Sequence, residues 1–375
     1  MRIAVNTRFL LQQQLEGFGY FTREVLSTLT RQHPEHEFHF FFDRPFPEEF
    51  LFSGNVKGHV LAPPARHPLL WKYWFDVSVS RRLKQLKADV FLSPDGQCSL
   101  TTSVPQCLVV HDLGFLHYPE GYQKSHLAYY KRYTPKFIRK AAIVATVSAF
   151  SKNDIVRQYK TPPEKIAVVY NGVKEIFAPT GFEEKMAVKE SYTGGAEYFL
   201  YAGAIQPRKN IVNLLKAFSI FKRRMHSSLK LVLAGRLAWK NEDFLALLKT
   251  YKYKDDVVLT GYLAESELAQ LMAAAYAFVY PSHFEGFGVP VLEAMKCGVP
   301  VLTSKGSAME EISEGTALFF DPANVDDIAY QLMFVYKNEG ERSALVQKGK
   351  EVAAPYTWQR TADRLWACLL QAAGG

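Results

Sequence analysis

The sequence predicts an α/β protein made of two doubly wound, Rossmann-like domains, each a parallel sheet covered by helices on both faces. Three observations carry this. Short β-branched or aromatic runs recur along the chain, each followed by a Gly-containing or polar loop and then an amphipathic stretch, the alternation that parallel sheets produce. At 375 residues, with 48% apolar and 22% charged content, the chain holds enough apolar side chains for two cores. Between the halves, 177–195 (FAPTGFEEKMAVKESYTGG) is rich in Pro, Gly and charge with no strand pattern, which makes it the expected linker.

The elements follow in order. In the first domain, 1–178, the strands read RIAVNT, FHFFF, DVFLS, CLVVHD, AIVATV and IAVVYN; in the second, 179–355, they read YFLYAG, LKLVLAG, DVVLTG, AFVYP, PVLTS and ALFFD. The final stretch, 356–375, contains WQRTADRLWACLLQ, an amphipathic helix expected to pack back on the first domain. Open sheets of this kind bind ligands beyond the carboxyl ends of their strands. Two such domains facing one another place their strand ends around a central cleft, so the loops there are the candidates for function.

The first is NTRFLLQQQLEGFGYFTREVL (6–26), which puts Gly17 and Gly19 just before a helix. In VVHDLGFLHYPE (109–120), His111 and Asp112 end a buried strand. YFLYAGAIQPRKNIVNLLKAF (198–218) runs from a strand through Gly203 to Arg208 and Lys209 at the mouth of a helix. Two cations beside the positive end of a helix dipole repel one another, so an anion is expected there, and a pyrophosphate fits. HFEGFGVPVLEAMKCGVPV (283–301) places Glu285 in a Gly-rich loop and Glu293 in the first turn of a short helix, with Lys296 the only nearby cation. The helix is bracketed by Pro290, Gly298 and Pro300. A carboxylate can accept both hydroxyls of a vicinal diol, which suggests Glu293 for a ribose and Glu285 for a sugar hydroxyl.

Composition narrows the classes. The opening residues enter a strand with no signal pattern, and the longest apolar run, near 268–281, is too short to span a bilayer, so a cytoplasmic protein is expected. Cys98, Cys107, Cys297 and Cys368 have no CxxC spacing and read as reduced structural thiols. Neither half shows Gly-x-Gly-x-x-Gly after its first strand, which argues against an NAD oxidoreductase. A net charge of +8 admits anionic partners without choosing among them. Basic residues interleave with rings in 66–87, with Trp71, Tyr73, Trp74 and Phe75, and again in 122–140, with Lys131, Arg132, Lys136, Arg139 and Lys140. Such segments suit an anionic bilayer surface, and equally suit helices whose rings are core and whose cations are solvated.

Taken together, YAGAIQPRKN, LKLVLAGR, the run VVLTGYLAESELAQLMAAAYAFVYPSHFEGFGVPVLEAMKCGVPVLTS, VVHDLGFLHYPE and VSAFSKNDIVRQYKTPPEKIAVVYNGV resemble the retaining glycosyltransferases of family 4 over nearly the whole chain. The resemblance implies the GT-B fold, with the sugar-nucleotide donor held by the second domain and the acceptor by the first. It implies no cofactor and no metal, and no Asp-x-Asp triplet occurs. Carried over, it makes Arg208 and Lys209 the pyrophosphate ligands, Glu293 the ribose ligand, and Glu285 the contact to the donor sugar. Gly286, Phe287 and Gly288 would line sugar or phosphate, Gly203 would let phosphate approach, and Gly261, Tyr262 and Leu263 would edge the nucleobase. Gly17 and Gly19 match the family's mobile phosphate loop, and His111 the histidine near the reacting sugar carbon. Tyr20 and Glu310 depart from residues common in relatives, Arg and Pro respectively. Likeness to bacterial mannosyltransferases points to GDP-mannose as donor, with a UDP-hexose second, and to a glycan or lipid-linked acceptor with possible reversible contact with an anionic membrane and no role for nucleic acid. An epimerase of the same fold and a polyanion-binding protein are the competing classes.

Overall fold

A computed structural model of the chain describes residues 1–11, 17–238 and 241–374. These form two compact units, Met1–Gly172 with Thr357–Gly375, and Val173–Tyr356. In the first unit seven strands, β1 (Arg2–Asn6), β2 (Glu37–Phe42), β3 (Val56–Val60), β4 (Val90–Ser93), β5 (Gln106–Val110), β6 (Ile143–Thr146) and β7 (Ile166–Val168), make one parallel sheet in the order β3-β2-β1-β4-β5-β6-β7. In the second, β8 (Tyr198–Ala202), β9 (Lys230–Ala234), β10 (Val257–Gly261), β11 (Ala277–Tyr280), β12 (Val301–Ser304) and β13 (Leu318–Phe320) make another, in the order β10-β9-β8-β11-β12-β13. Both orders reverse direction beside the unit's first strand, at β1/β4 and β8/β11. Such a switch point parts the neighbouring loops and opens a crevice at the strand ends.

The central strands form because helices cover both faces. Every residue of β4, β5, β6, β8, β11 and β12 is buried, so each reads as a continuous apolar run rather than an alternation. The strand absent from the predicted set is β3, VKGHV, whose Lys57, Gly58 and His59 break the apolar pattern because it lies at the sheet's edge.

The expected linker is instead a helix of the second unit, Phe182–Thr193. Its start is fixed by the Glu184 carboxylate accepting from the Gly181 N–H at 2.9 Å, and its end by Gly194 at φ +64°. Its Pro, Gly and charge are therefore start signal, stop signal and solvated face. The division between units falls at Gly172/Val173 and Tyr356/Thr357, not at 178/179 and 355/356. The last helix, Trp358–Ala373, belongs to the first unit and buries Thr361, Ala362, Leu365, Cys368, Leu369 and Ala372 on one side.

All four cysteines are free and buried, and burial pushes the Cys297 thiol up to about 12. Among the described residues no helix is long and apolar enough to cross a membrane. The rings of the two basic segments are mostly core: Trp71, Trp74, Phe75 and Tyr129 are buried in the first unit, whereas Tyr73 is exposed.

Candidate active site

In the second unit two loops flank the β8/β11 switch point and are fastened to each other. The loop after β8 ends in a single 3₁₀ turn, Pro207–Lys209, and Asn210 follows in the left-handed region at φ +62°. Its side-chain amide donates to the carbonyls of Pro281 and Pro322 at 3.1 and 2.7 Å. The Arg208 carbonyl accepts from the His283 N–H at 2.9 Å, and the Arg208 guanidinium donates to the Phe284 carbonyl. The Pro-Arg-Lys-Asn run is thereby held against Ser282–Gly286.

Glu285 sits at the centre. Its Oε1 accepts from Lys209 Nζ at 2.5 Å and from Ser282 Oγ at 2.6 Å, and its Oε2 lies 3.1 Å from Arg208 Nη1. Lys209 also donates to the Tyr280 hydroxyl at 2.6 Å and lies 4.9 Å from that ring's centroid. Burial alone would raise the Glu285 carboxyl, but the charges of Arg208 and Lys209 and the hydrogen bonds from Lys209 and Ser282 outweigh it and bring the group down to about 2. The anion expected beside the two cations is thus in part internal. Lys296 pairs instead with Glu175 at 2.8 Å. Of the two cations, Lys209 is buried, while the Arg208 side chain keeps 24% of its surface in solvent.

Glu293 differs in kind. It is the fifth residue of the helix Val289–Lys296, not in the first turn, and is half-buried. No hydrogen bond or ion pair reaches its carboxyl among the described residues. Burial, reinforced by Glu265 and opposed by Lys174, pushes it up to about 8; Lys174 is already paired with Glu265 at 2.5 Å. The site therefore combines an acid held ionised with one held protonated near neutrality.

The backbone brings the glycines of three adjacent strand ends together. The Gly203 N–H donates to the Ala234 carbonyl and the Gly235 N–H to the Gly261 carbonyl, both at 2.8 Å. Gly235 is at φ +147°, and a Cβ there would lie 2.0 Å from the Gly203 carbonyl oxygen, so only glycine fits. Tyr262, 71% exposed, and half-buried Leu263 follow β10 at the far edge. Gly286, Phe287 and Gly288 are buried; Phe287 meets the Tyr356 ring edge-on at 6.0 Å, and Gly288 is at φ +100° with Met309 Cγ 2.8 Å from where a Cβ would stand.

The first unit repeats the arrangement at β1/β4. Arg8, after β1, and Asp95, after β4, form a buried ion pair at 2.6 Å. The guanidinium lies 5.0, 5.5 and 5.2 Å from the ring centroids of Phe9, Trp71 and Phe75. The sequence signal was present in TRF and SPDG, each directly after a strand, but the contact joins residues 87 apart. His111 is held by donation from Nε2 to the Pro94 carbonyl at 2.8 Å, since a carbonyl only accepts, and this leaves Nδ1 as an acceptor. Burial lowers its pKa against the opposing pull of the Pro94 carbonyl and of Asp112 and Asp95, so the ring is neutral. Asp112 accepts from the Gly114 N–H at 2.7 Å, closing a local turn instead of bonding His111. Gly17 and Gly19 lie inside the first turn of the helix Gly17–Gln32, not before it; the residues ahead of them, 12–16, are outside those described. Phe18 between them packs against His111 with the rings tilted at 43° and their centroids 4.8 Å apart. Phe18, Asp95, His111, Asp112, Phe115 and Tyr130 line a cavity of about 180 Å³.

The chain is similar to known proteins over nearly all of its length. Residues 16–175 match glycosyltransferase family 4 and residues 182–352 match glycosyl transferases group 1. The O-antigen chain mannosyltransferase B of Escherichia coli is 27% identical over 93% of this chain and 94% of its own length. The O-antigen chain mannosyltransferase RfbU of Salmonella typhimurium is 29% identical over 72% of this chain and 71% of its own. Among solved structures, Alr3699/HepE of Anabaena in complex with UDP and glucose superposes with a TM-score of 0.76, covering 97% of this chain and 98% of that one at 15% identity. That likeness shows the fold, two Rossmann-like units as in GT-B proteins.

Proposed function

The chain belongs to the glycosyltransferases that join a family 4 domain to a group 1 domain, and we propose that it transfers mannose, with retention, from GDP-mannose to a glycan or lipid-linked acceptor without a metal ion. The observation that carries this reading is the Arg208–Lys209–Glu285 constellation across the β8/β11 switch point, in a chain whose relatives are mannosyltransferases. Those relatives are transferases, which favours transfer over donor epimerisation and over polyanion binding.

In this reading the donor diphosphate meets Arg208, the outward cation, and Lys209 sets Glu285 against the sugar. A guanidinium binds phosphate oxygens bidentately, and its charge offsets the negative charge that grows on the leaving oxygen in the transition state. Glu293, protonated when the site is empty, ionises as the ribose diol donates to it. Phe287 and Gly288 line the sugar, Gly203 admits the phosphates, and Gly261, Tyr262 and Leu263 border the base. Attack from the same face as departure needs no enzyme nucleophile, the leaving diphosphate taking the acceptor proton. Neutral His111, with Nδ1 as acceptor, suits holding a sugar hydroxyl and does not titrate. The ring-lined cavity beside it carries Asp95 and Asp112 but no Lys or Arg, which suits a neutral pyranose of the acceptor. Exposed Leu69, Tyr73 and Val77 at four-residue spacing, with Lys72 among them, suit reversible contact with an anionic bilayer.

A thermal-shift screen of sugar nucleotides in EDTA tests the donor: one present at 100 times its Kd adds about 2.7 kcal/mol of stability. GDP-mannose is expected to stabilise the protein and UDP-glucose to leave it unchanged. Product analysis by NMR then reads the anomeric configuration, and an inverted product or donor isomerised without acceptor would overturn the assignment.

A further inference from the structure

Away from both switch points, the outer edge of the first sheet carries a second cavity, of about 510 Å³, between β3 and the helix Ser80–Leu86. Its wall from the strand side is Gly58–Ala62, and from the helix side Ser78, Arg81, Arg82 and Gln85. No carboxylate lines it, and among the described residues neither guanidinium is in an ion pair. The helix is preceded by a widened π-type segment, Trp74–Val79, an irregularity that recurs at functional sites.

Arg82 is aimed from behind. Its Nη2 lies 2.9 Å from His59 Nδ1, and His59 Nε2 lies 3.0 Å from His39 Nδ1. An arginine only donates, so His59 Nδ1 is unprotonated and its Nε2–H donates to His39. The proton of His39 is then on Nε2, 3.6 Å from a Glu37 carboxylate oxygen. Both hydrogen bonds point the same way, although His39 Nε2 itself has no hydrogen-bond partner, and both imidazoles are neutral, in keeping with the burial that, with Arg82, lowers His59 to about 4. The relay fixes Arg82 without neutralising it. Its Nη1 reaches Gln85 at 3.3 Å, and its Nε is buried without a partner. A fixed, uncompensated guanidinium with an idle donor, next to exposed Arg81, is costly unless an anion is bound.

We propose that this cavity is a binding site for a phosphoryl oxyanion. Guanidinium pairs favour phosphate because its oxygens accept several N–H groups at once. The volume exceeds what a phosphate alone needs, and exposed Val60 on the rim gives the ester's remainder an apolar seat. The same chemistry is offered by a soluble phosphate ester and by a phospholipid headgroup.

The test follows the side-chain nitrogen resonances of His59 in the full-length protein during titration with glycerol 3-phosphate. They are expected to shift saturably, with affinity falling about tenfold or more in R81Q and R82Q and unchanged in R208Q. Arg81 is exposed, so R81Q retains the fold even where R82Q does not. Flotation with phosphatidylglycerol and with phosphatidylcholine vesicles identifies the source. Binding to the anionic vesicles that is lost in R81Q assigns the site to the bilayer, whereas glycerol 3-phosphate binding with vesicle binding absent or unaffected by R81Q assigns it to a soluble ester. No His59 shift with either ligand, or a shift of the same affinity in R81Q and R82Q, overturns the proposal.

Discussion

Replacing Glu285 with Gln removes the charge that Lys209 and Arg208 share while keeping nearly the same shape. The Glu285 carboxyl drops from 4.5 to about 2 in the folded protein, which at about 1.36 kcal/mol per unit is a preference of about 3 kcal/mol for the ionised form. Removing one member of a buried ion pair costs about 3–5 kcal/mol. Water at the partly exposed Arg208 and the acceptor oxygen that Gln retains for Ser282 lessen this, so E285Q should lose about 2–3 kcal/mol of stability in the second unit. The folded-state pKa is depressed, so this contribution is present above about pH 4.5 and is lost as pH falls towards 2. Urea unfolding of both proteins by hydrogen exchange, read on 198–210 and 277–296, is the assay across that range. A deficit below about 1 kcal/mol, or one that persists undiminished at the acid end, would refute the reasoning. The same variant should bind nucleoside diphosphate no more weakly than wild type, since a competing anion is gone, while transfer falls at least tenfold for loss of the sugar contact.

Donor binding should release a proton near neutrality, because Glu293 is protonated in the empty site, with its carboxyl at about 8, and ionised under a ribose; calorimetry at pH 7 in buffers of different ionisation enthalpy should show the release in wild type and not in E293Q. The raised pKa also means that wild-type stability falls as pH rises from about 4.5 through 8, and E293Q should flatten that slope in thermal melts. Gly235→Ala puts a methyl 2.0 Å from the Gly203 carbonyl oxygen at φ +147°, and should cost about 3 kcal/mol or more by urea titration; a cost under about 1 kcal/mol would place the β8 and β9 loops further apart than described. Liposome co-sedimentation at low salt should weaken on replacing Leu69 and Tyr73 with Ser, and further on replacing Lys131, Arg132, Lys136, Arg139 and Lys140, each surface cation contributing about 1 kcal/mol at most; binding unaffected by all of these would leave a soluble acceptor.

Much of the architecture was legible because parallel strands buried on both faces are short apolar runs that need no tertiary information to recognise. β3 was not, since an edge strand with Lys57, Gly58 and His59 carries no such run. Nor was the helix Phe182–Thr193, almost all of it solvated, with only Thr193 buried, so it lacks the apolar stripe by which helices are read. At the candidate site, residue types were readable, but pairings were not, nor were the places of Glu293, fifth in its helix, and of Gly17 and Gly19, inside theirs. Glu285 seemed to lack a counter-charge because its partners come from the β8 loop, 76 residues earlier for Lys209, and only the strand order makes those loops neighbours. Adjacency in sequence did not reveal how His111 and Asp112 are held, because an Asp two residues before a Gly N–H closes a turn on its own.

The account rests most directly on Arg208 as the ligand of the donor diphosphate. Titration calorimetry of GDP into wild type and R208A, in EDTA, measures it. The account predicts binding without metal and a loss in R208A of about 1.5–3 kcal/mol, the worth of a charged hydrogen bond, which is about tenfold or more in Kd. Equal affinity in the two proteins, or no binding until a divalent metal is restored, would contradict it.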